Sequence, residues 1–120
     1  MKTYIITGAN SGLGLETAEK IVKSGNHVIL ACRNLEKGQE ALEKIRQDSS
    51  NGEVTLKQLD LASFKSIHAF VEDLDSLTFH GLDNNAGLSA QHSGLSADGY
   101  DIVFQSNYLG HFLLTLLLLP

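Results

Sequence analysis

The stretch YIITGANSGLG, residues 4–14, decides how the chain is read. A short apolar run, YIIT, ends in a turn holding Gly8, Gly12 and Gly14, and a helical pattern, LETAEKIVKSG, follows at once. One glycine is enough for a turn. Three of them at the joint between a strand and a helix mean that something approaches the backbone closely. A helix N-terminus carries unpaired N–H groups and about half a positive charge, which makes it an anion site. Gly8 permits a tight exit from the strand. Gly12 lets a pyrophosphate reach the backbone without meeting a Cβ, and Gly14 lets the helix pack closely on the strand. The spacing is G-x-x-x-G-x-G, where the commoner dinucleotide fingerprint is G-x-G-x-x-G. The plainer alternative is a tight turn that binds nothing.

Outward from this turn, strands and helices alternate. Residues 2–7 form the first strand and residues 13–24 the first helix, with Leu13, Thr17, Ala18, Ile21 and Val22 on its buried face and Gly25 as its stop. HVILA, residues 27–31, is a continuous apolar run suited to a strand covered on both faces. Asn34 caps a second helix over residues 35–47, whose apolar positions are Leu35, Ala41, Leu42 and Ile45. After the turn DSSNG, residues 53–60 make a third strand. Ser63 then caps a helix that places Phe64, Ile67, Phe70, Val71 and Leu74 on one face. The order β-α-β-α-β-α predicts an α/β fold of Rossmann type, a doubly wound parallel sheet.

Beyond residue 77 the pattern weakens. TFHGLDNNAG offers no apolar run of four for a fourth strand, and LSAQHSGLSADG reads as a loop with Ser96 as a cap. From Tyr100 a long helix runs to Pro120; Gly110 inside it costs about 1 kcal/mol against alanine, so close packing is expected there.

Length and composition narrow the function. The chain has 120 residues, 42% hydrophobic and 19% charged, which suits one globular domain. A net charge of −5 argues against nucleic acid. The single cysteine, Cys32, allows no internal disulfide, and the N-terminus carries no signal-peptide pattern, so a reducing, cytoplasmic setting is expected. The apolar FLLTLLLLP is well short of the roughly 20 residues of a membrane span and reads as a buried helix. The five histidines show no ligand spacing, and no metal site is expected.

Dinucleotide folds choose their coenzyme at the end of the second strand, where an acid holds the ribose hydroxyl and an arginine accommodates a 2′-phosphate. Here the strand ends ACRN: Cys32 stands in place of the acid, Arg33 follows, and no acid lies between Val28 and Leu35. This predicts NADP(H) over NAD(H). The alternative is an exposed arginine near the start of the second helix.

TGANSGLG, ACRN, LDLAS, NNAG and NYLGHF, in this order, resemble the N-terminal half of the short-chain dehydrogenase/reductases. Within that family the chain is most similar to retinol dehydrogenase and protochlorophyllide reductase-like members. The resemblance implies that Gly8, Ser11, Gly12, Leu13 and Gly14 line the pyrophosphate turn and that Arg33 and Asn34 meet the 2′-phosphate. Asp60 and Leu61 would contact the adenine. Asn85, Ala86 and Gly87 would follow the adenosine side, with Asn84 bracing the sheet. Asn107 matches the asparagine of the catalytic tetrad, which holds a water in a proton relay. Blander roles exist for each: Asp60 as a helix cap, NNAG as an ordinary turn, Asn107 as a satisfied polar residue.

Two departures from the family follow. Asp83 is followed at once by Asn84, as if about three strand residues, roughly 10 Å of chain, were missing from the fourth strand. The family's general acid/base tyrosine is followed four residues later by a lysine. Tyr4, Tyr100 and Tyr108 are followed at that distance by Gly8, Phe104 and Phe112, and the family's serine would sit on a fifth strand that is not present. The expectation is therefore the NADP(H)-binding half of an oxidoreductase for a hydrophobic carbonyl or alcohol. Residues 1–120 would form a Rossmann domain incomplete at its C-terminus and inactive alone, prone to self-association through the 100–119 helix. The alternatives are a non-catalytic nucleotide-binding or interaction protein and, less well matched, an extended-family epimerase.

Overall fold

The computed structural model describes residues 1–9, 12–49, 51–74, 77–86 and 93–119. Its elements are β1 (Thr3–Thr7), α1 (Gly12–Lys23), β2 (His27–Cys32), α2 (Leu35–Asp48), β3 (Glu53–Gln58), α3 (Phe64–Leu74) and β4 (Gly81–Asp83). A final helical run passes through α4 (Ile102–Phe104), a π-helical turn (Gln105–Leu109) and α5 (Gly110–Leu118). The chain forms two compact units, Met1–Gln58 with Leu77–Asn85, and Leu59–Ser76 with Ala86–Pro120.

The first unit holds the sheet. Its four strands are parallel, in the order β3-β2-β1-β4, which is the Rossmann-type α/β arrangement the sequence predicts. Val28 to Cys32 are all buried, as a strand covered on both faces should be. The helices α1 and α2 bring Ala18, Val22, Ala41, Leu42 and Ile45 into one core with Ile6, Val28, Leu30 and Val54. Gly38 is small for a reason: a Cβ there would lie 2.6 Å from Leu56 Cδ1.

Two apolar positions differ from the periodic reading. Leu13 is 74% exposed, because the buried face of α1 follows the four-residue spacing of Gly14, Ala18 and Val22. Leu35, at the first residue of α2, is exposed for the same reason; the inward face is Gly38, Ala41, Leu42 and Ile45.

The fourth strand forms without a gap. Gly81, Leu82 and Asp83 pair in parallel with Tyr4, Ile5 and Ile6, and the strand runs straight into Asn84. At three residues it is two or three shorter than β1, β2 and β3, in keeping with the expected shortfall of chain, and it forms because backbone pairing defines a strand even where side chains make no apolar run. Gly81 lies where a Cβ would come 2.8 Å from Tyr4 Cδ1, so the tyrosine ring occupies the space a larger residue would need. The strand is nevertheless short and stands at the sheet's edge among the described residues.

In the second unit α5 lies against α3, and Ile67, Phe70, Leu74 and Leu114 are buried. Gly110 is a site of close approach, as expected: a Cβ there would lie 2.9 Å from Leu61 Cβ and against the Leu61 carbonyl. The helix begins later than Tyr100. Asp101 caps it, accepting the Phe104 N–H at 2.9 Å, while Ser96 is buried and its hydroxyl donates to Gln105 Oε1. The final helical run is not covered all round: Leu116 of α5 and Leu119 just after it are exposed, as are Phe104, Tyr108 and Phe112.

Candidate functional site

Between β1 and α1 the backbone takes two left-handed steps, at Gly8 (φ 64°) and Gly12 (φ 63°), which glycine adopts without steric cost. The Gly8 N–H donates to the Ala31 carbonyl at 2.9 Å and anchors the turn to β2. Among the described residues nothing lies within 4 Å of the point a Gly12 Cβ would occupy, which leaves open space above the backbone there. The first N–H groups of the twelve-residue α1 have no partner within the helix. Leu13 is exposed beside them.

Gly14 makes room chiefly for Asn85. A Cβ on Gly14 would overlap the Asn85 Nδ2 and lie 3.1 Å from the Ala9 Cα. Asn85 Nδ2 donates to the Gly8 carbonyl at 3.1 Å, and the Asn85 N–H donates to the Asp83 carbonyl at 3.0 Å. The end of β4 is thus tied to the glycine turn.

At the end of β2, Cys32 is buried, its Cβ beside Gly38. Burial pushes its thiol above the usual range, partly offset by the Ala9 N–H directed at it. Arg33 and Asn34 are exposed. Asn34 Oδ1 accepts the Lys37 N–H at 3.1 Å, so this residue caps α2 as predicted. Gln58 Nε2 donates to the Arg33 carbonyl at 3.4 Å. The first unit therefore brings together Gly8, Gly12, Leu13, Gly14, Arg33, Asn34 and Asn85. A positive helix end with open space over Gly12, and a guanidinium at the end of the next strand, suit the phosphates of a dinucleotide.

The second unit carries the remaining described positions. Asp60 Oδ1 accepts the Ala62 N–H at 2.9 Å and its own N–H donates to Ser66 Oγ at 2.9 Å. It closes the turn before α3, while Ser63 caps that helix by accepting the Ser66 N–H at 3.2 Å. Leu61 is buried beneath Gly110, and Ala86 is half-buried. Asn107 lies half-buried in the π-helical turn, which the Gly110 N–H closes by donating to the Gln105 carbonyl. Such turns often mark functional positions in helices. Ser11 and Gly87 lie outside the described residues.

Several side chains that organise the second unit carry no sequence signal. Asp98 Oδ2 accepts both the Phe64 N–H at 2.7 Å and the Gln105 Nε2 at 2.8 Å. Gln105, fully buried, thus uses both ends of its amide at the start of the π-helical turn. His111 Nε2 is buried without a hydrogen-bond partner among the described residues, and burial holds its pKa below the ordinary histidine value.

Residues 2–120 match the short chain dehydrogenase family. Retinol dehydrogenase 12 of Mus musculus is 44% identical over 120 residues, which are 98% of this chain and 38% of that protein. Retinol dehydrogenase 13 of Homo sapiens is 43% identical over 122 residues, 98% of this chain and 36% of that protein. The chain thus spans under two fifths of the length of these relatives. Among solved structures, a protein from Mycobacterium Paratuberculosis superposes with a TM-score of 0.88 at 39% identity, covering 100% of this chain and 42% of that one. A short-chain dehydrogenase from Sphingobium yanoikuyae in complex with NADPH gives 0.80 at 26% identity, covering 98% of this chain and 47% of that one.

Proposed function

This chain belongs to the short chain dehydrogenase family, and from that premise we propose that residues 1–120 are the coenzyme-binding domain of an NADP(H)-dependent oxidoreductase acting on a carbonyl or alcohol. The observation that carries the coenzyme choice is the end of β2. Arg33 is exposed there, Cys32 is turned into the core, and no carboxylate stands between Val28 and Leu35 to repel a 2′-phosphate. The likeness to a dehydrogenase solved with NADPH supports the same choice.

In this reading the N–H groups at Gly12, Leu13 and Gly14, with Gly8 and Ser11, hold the pyrophosphate, and Arg33 with the free amide end of Asn34 holds the 2′-phosphate. Asp60 and Leu61 meet the adenine, Asn85, Ala86 and Gly87 the adenosine side, and Asn107 holds a relay water. The coenzyme supplies a hydride. The names of the relatives point to a hydrophobic alcohol or aldehyde as its partner. We read the setting as cytoplasmic; among the described residues no helix is long and apolar enough to cross a membrane.

A second reading, a non-catalytic nucleotide-binding protein, is favoured by one observation: none of Tyr4, Tyr100 and Tyr108 has a lysine four positions on. Both readings expect NADPH to bind these residues. They part on turnover. The exposed series Phe104, Tyr108, Phe112 and Leu116, each four residues from the last, makes a second copy the expected neighbour of this helix. Titrating the chain with NADPH and NADH side by side tests the coenzyme reading; tighter NADH binding, or binding of neither, overturns it. Sedimentation at micromolar concentration tests self-association, and a monodisperse monomer counts against it.

A further inference from the structure

β4 is only three residues long, and side chains hold it at both ends. At its C-terminal end Thr7 Oγ1 donates to the Asp83 carbonyl at 3.4 Å, and Asn85 Nδ2 donates to the Gly8 carbonyl at 3.1 Å. At its N-terminal end the His80 N–H donates to the Thr3 carbonyl at 2.7 Å, and the Thr3 N–H donates to His80 Nδ1 at 3.1 Å. In a longer strand a backbone carbonyl would take that Thr3 N–H. Here a ring nitrogen takes it and extends the ladder by one rung.

This contact fixes the state of the ring. A backbone N–H can only donate, so Nδ1 must be bare and the ring proton must sit on Nε2. A protonated imidazole carries donors on both nitrogens and would turn an N–H towards the Thr3 N–H. We propose that His80 is a positioning residue for the glycine turn: its neutral ring completes the β1–β4 ladder, and its protonation loosens β4 and the Asn85 bond to Gly8. The inference rests on the reading of that turn as the coenzyme site, and it adds a pH control to it.

The surroundings of the ring are compatible with this role. His80 is exposed, so protons reach it. Tyr4 on β1 faces it with ring centroids 6.5 Å apart. His27 on β2 reaches the same threonine, with its Nδ1 3.4 Å from Thr3 Oγ1 and its Nε2 2.8 Å from Thr55 Oγ1 on β3. Lys2 and the N-terminus precede Thr3, and Asp83 ends β4. No carboxylate among the described residues forms an ion pair with His80. A short edge strand has few rungs to lose, so one rung is a large share of its local stability.

The test compares wild type with His80→Gln, whose side-chain oxygen accepts but does not titrate, and His80→Leu, which cannot accept. Imidazole ordinarily titrates between about pH 5 and pH 8. On moving from about pH 8 to about pH 5.5, wild-type affinity for NADPH should fall about threefold to tenfold relative to His80→Gln, the effect of losing one hydrogen bond. Taking the ratio of the two proteins cancels the titration of the coenzyme phosphate. His80→Leu should bind weakly at both values. Parallel profiles for wild type and His80→Gln overturn the proposal. Two measurements need neither coenzyme nor variant. Nitrogen NMR of the wild-type ring should show a bare Nδ1 at about pH 8, and the hydrogen-exchange protection factor of Thr3 should fall on acidification. A proton on Nδ1, or protection indifferent to pH, overturns it. Absence of NADPH binding at every pH would instead count against the coenzyme reading alone.

Discussion

Asn85 Nδ2 donates to the Gly8 carbonyl at 3.1 Å while filling the space a Cβ on Gly14 would need. One side chain therefore explains two features of the glycine turn: what holds its first peptide and why its last glycine has no side chain. Gly14→Ala sets a methyl group against Asn85 and the Ala9 Cα and should cost about 1–3 kcal/mol, as overpacking does. Asn85→Ala removes one hydrogen bond and should cost about 1 kcal/mol. The double variant should lose less than the sum, by about 0.5–1 kcal/mol, because the smaller residue relieves part of the clash. Urea unfolding of the four proteins checks this, and strict additivity would show that the contact carries no strain.

Arg33 is exposed, so its removal should leave the fold within about 0.5 kcal/mol of wild type. Its effect belongs on the coenzyme. Arg33→Ala should weaken NADPH binding about tenfold or more, the value of a hydrogen bond to a charged group, and leave NADH within about twofold. Calorimetric titration with both coenzymes reads the difference. Equal losses for both would place Arg33 away from the 2′-phosphate.

The alternation of elements was legible because it is written in local chemistry. Asn34 and Ser63 cap their helices as read, Gly25 follows the first helix, and VILAC is buried throughout. The weak points are those where side chains do not advertise the backbone. Gly81–Asp83 has no apolar run, yet it pairs along β1 because the ladder needs N–H and C=O groups only. Leu13 and Leu35 are apolar and exposed because they begin helices whose inward face is set by small residues, Gly14 and Gly38. At the candidate site the glycines and Arg33 stood out in the sequence. The partners that hold the turn and the π-helical turn in shape, Asn85 on Gly8 and Gln105 between Ser96 and Asp98, are contacts between residues with no shared period.

Gly110 offers a contest between two effects. Alanine favours a helix over glycine by about 1 kcal/mol. Against that, a Cβ at this position meets the Leu61 carbonyl, which is backbone and cannot swing aside, and lies 3.1 Å from the Gln105 carbonyl. The clash should win, leaving Gly110→Ala about 1–2 kcal/mol less stable. Thermal melting of the variant checks the sign; a raised melting temperature would mean that α5 can shift away from Leu61 at little cost.

His111 holds a buried Nε2 with no partner among the described residues, and burial lowers its pKa. The folded state therefore favours the neutral ring more strongly than the unfolded chain does. The sign follows directly: this contribution to stability is complete above about pH 6.5, the ordinary histidine value, and is lost as pH falls through the lower folded value. His111→Leu removes both the titration and the unsatisfied nitrogen. It should be as stable as wild type or more so by about 1 kcal/mol near neutral pH, since an unmade hydrogen bond is lost with it. Its advantage should widen on acidification, as wild type alone gives up stability in protonating this ring. Denaturant midpoints of both proteins across the acid range measure that difference, and a constant gap between them would assign the acid sensitivity to other groups.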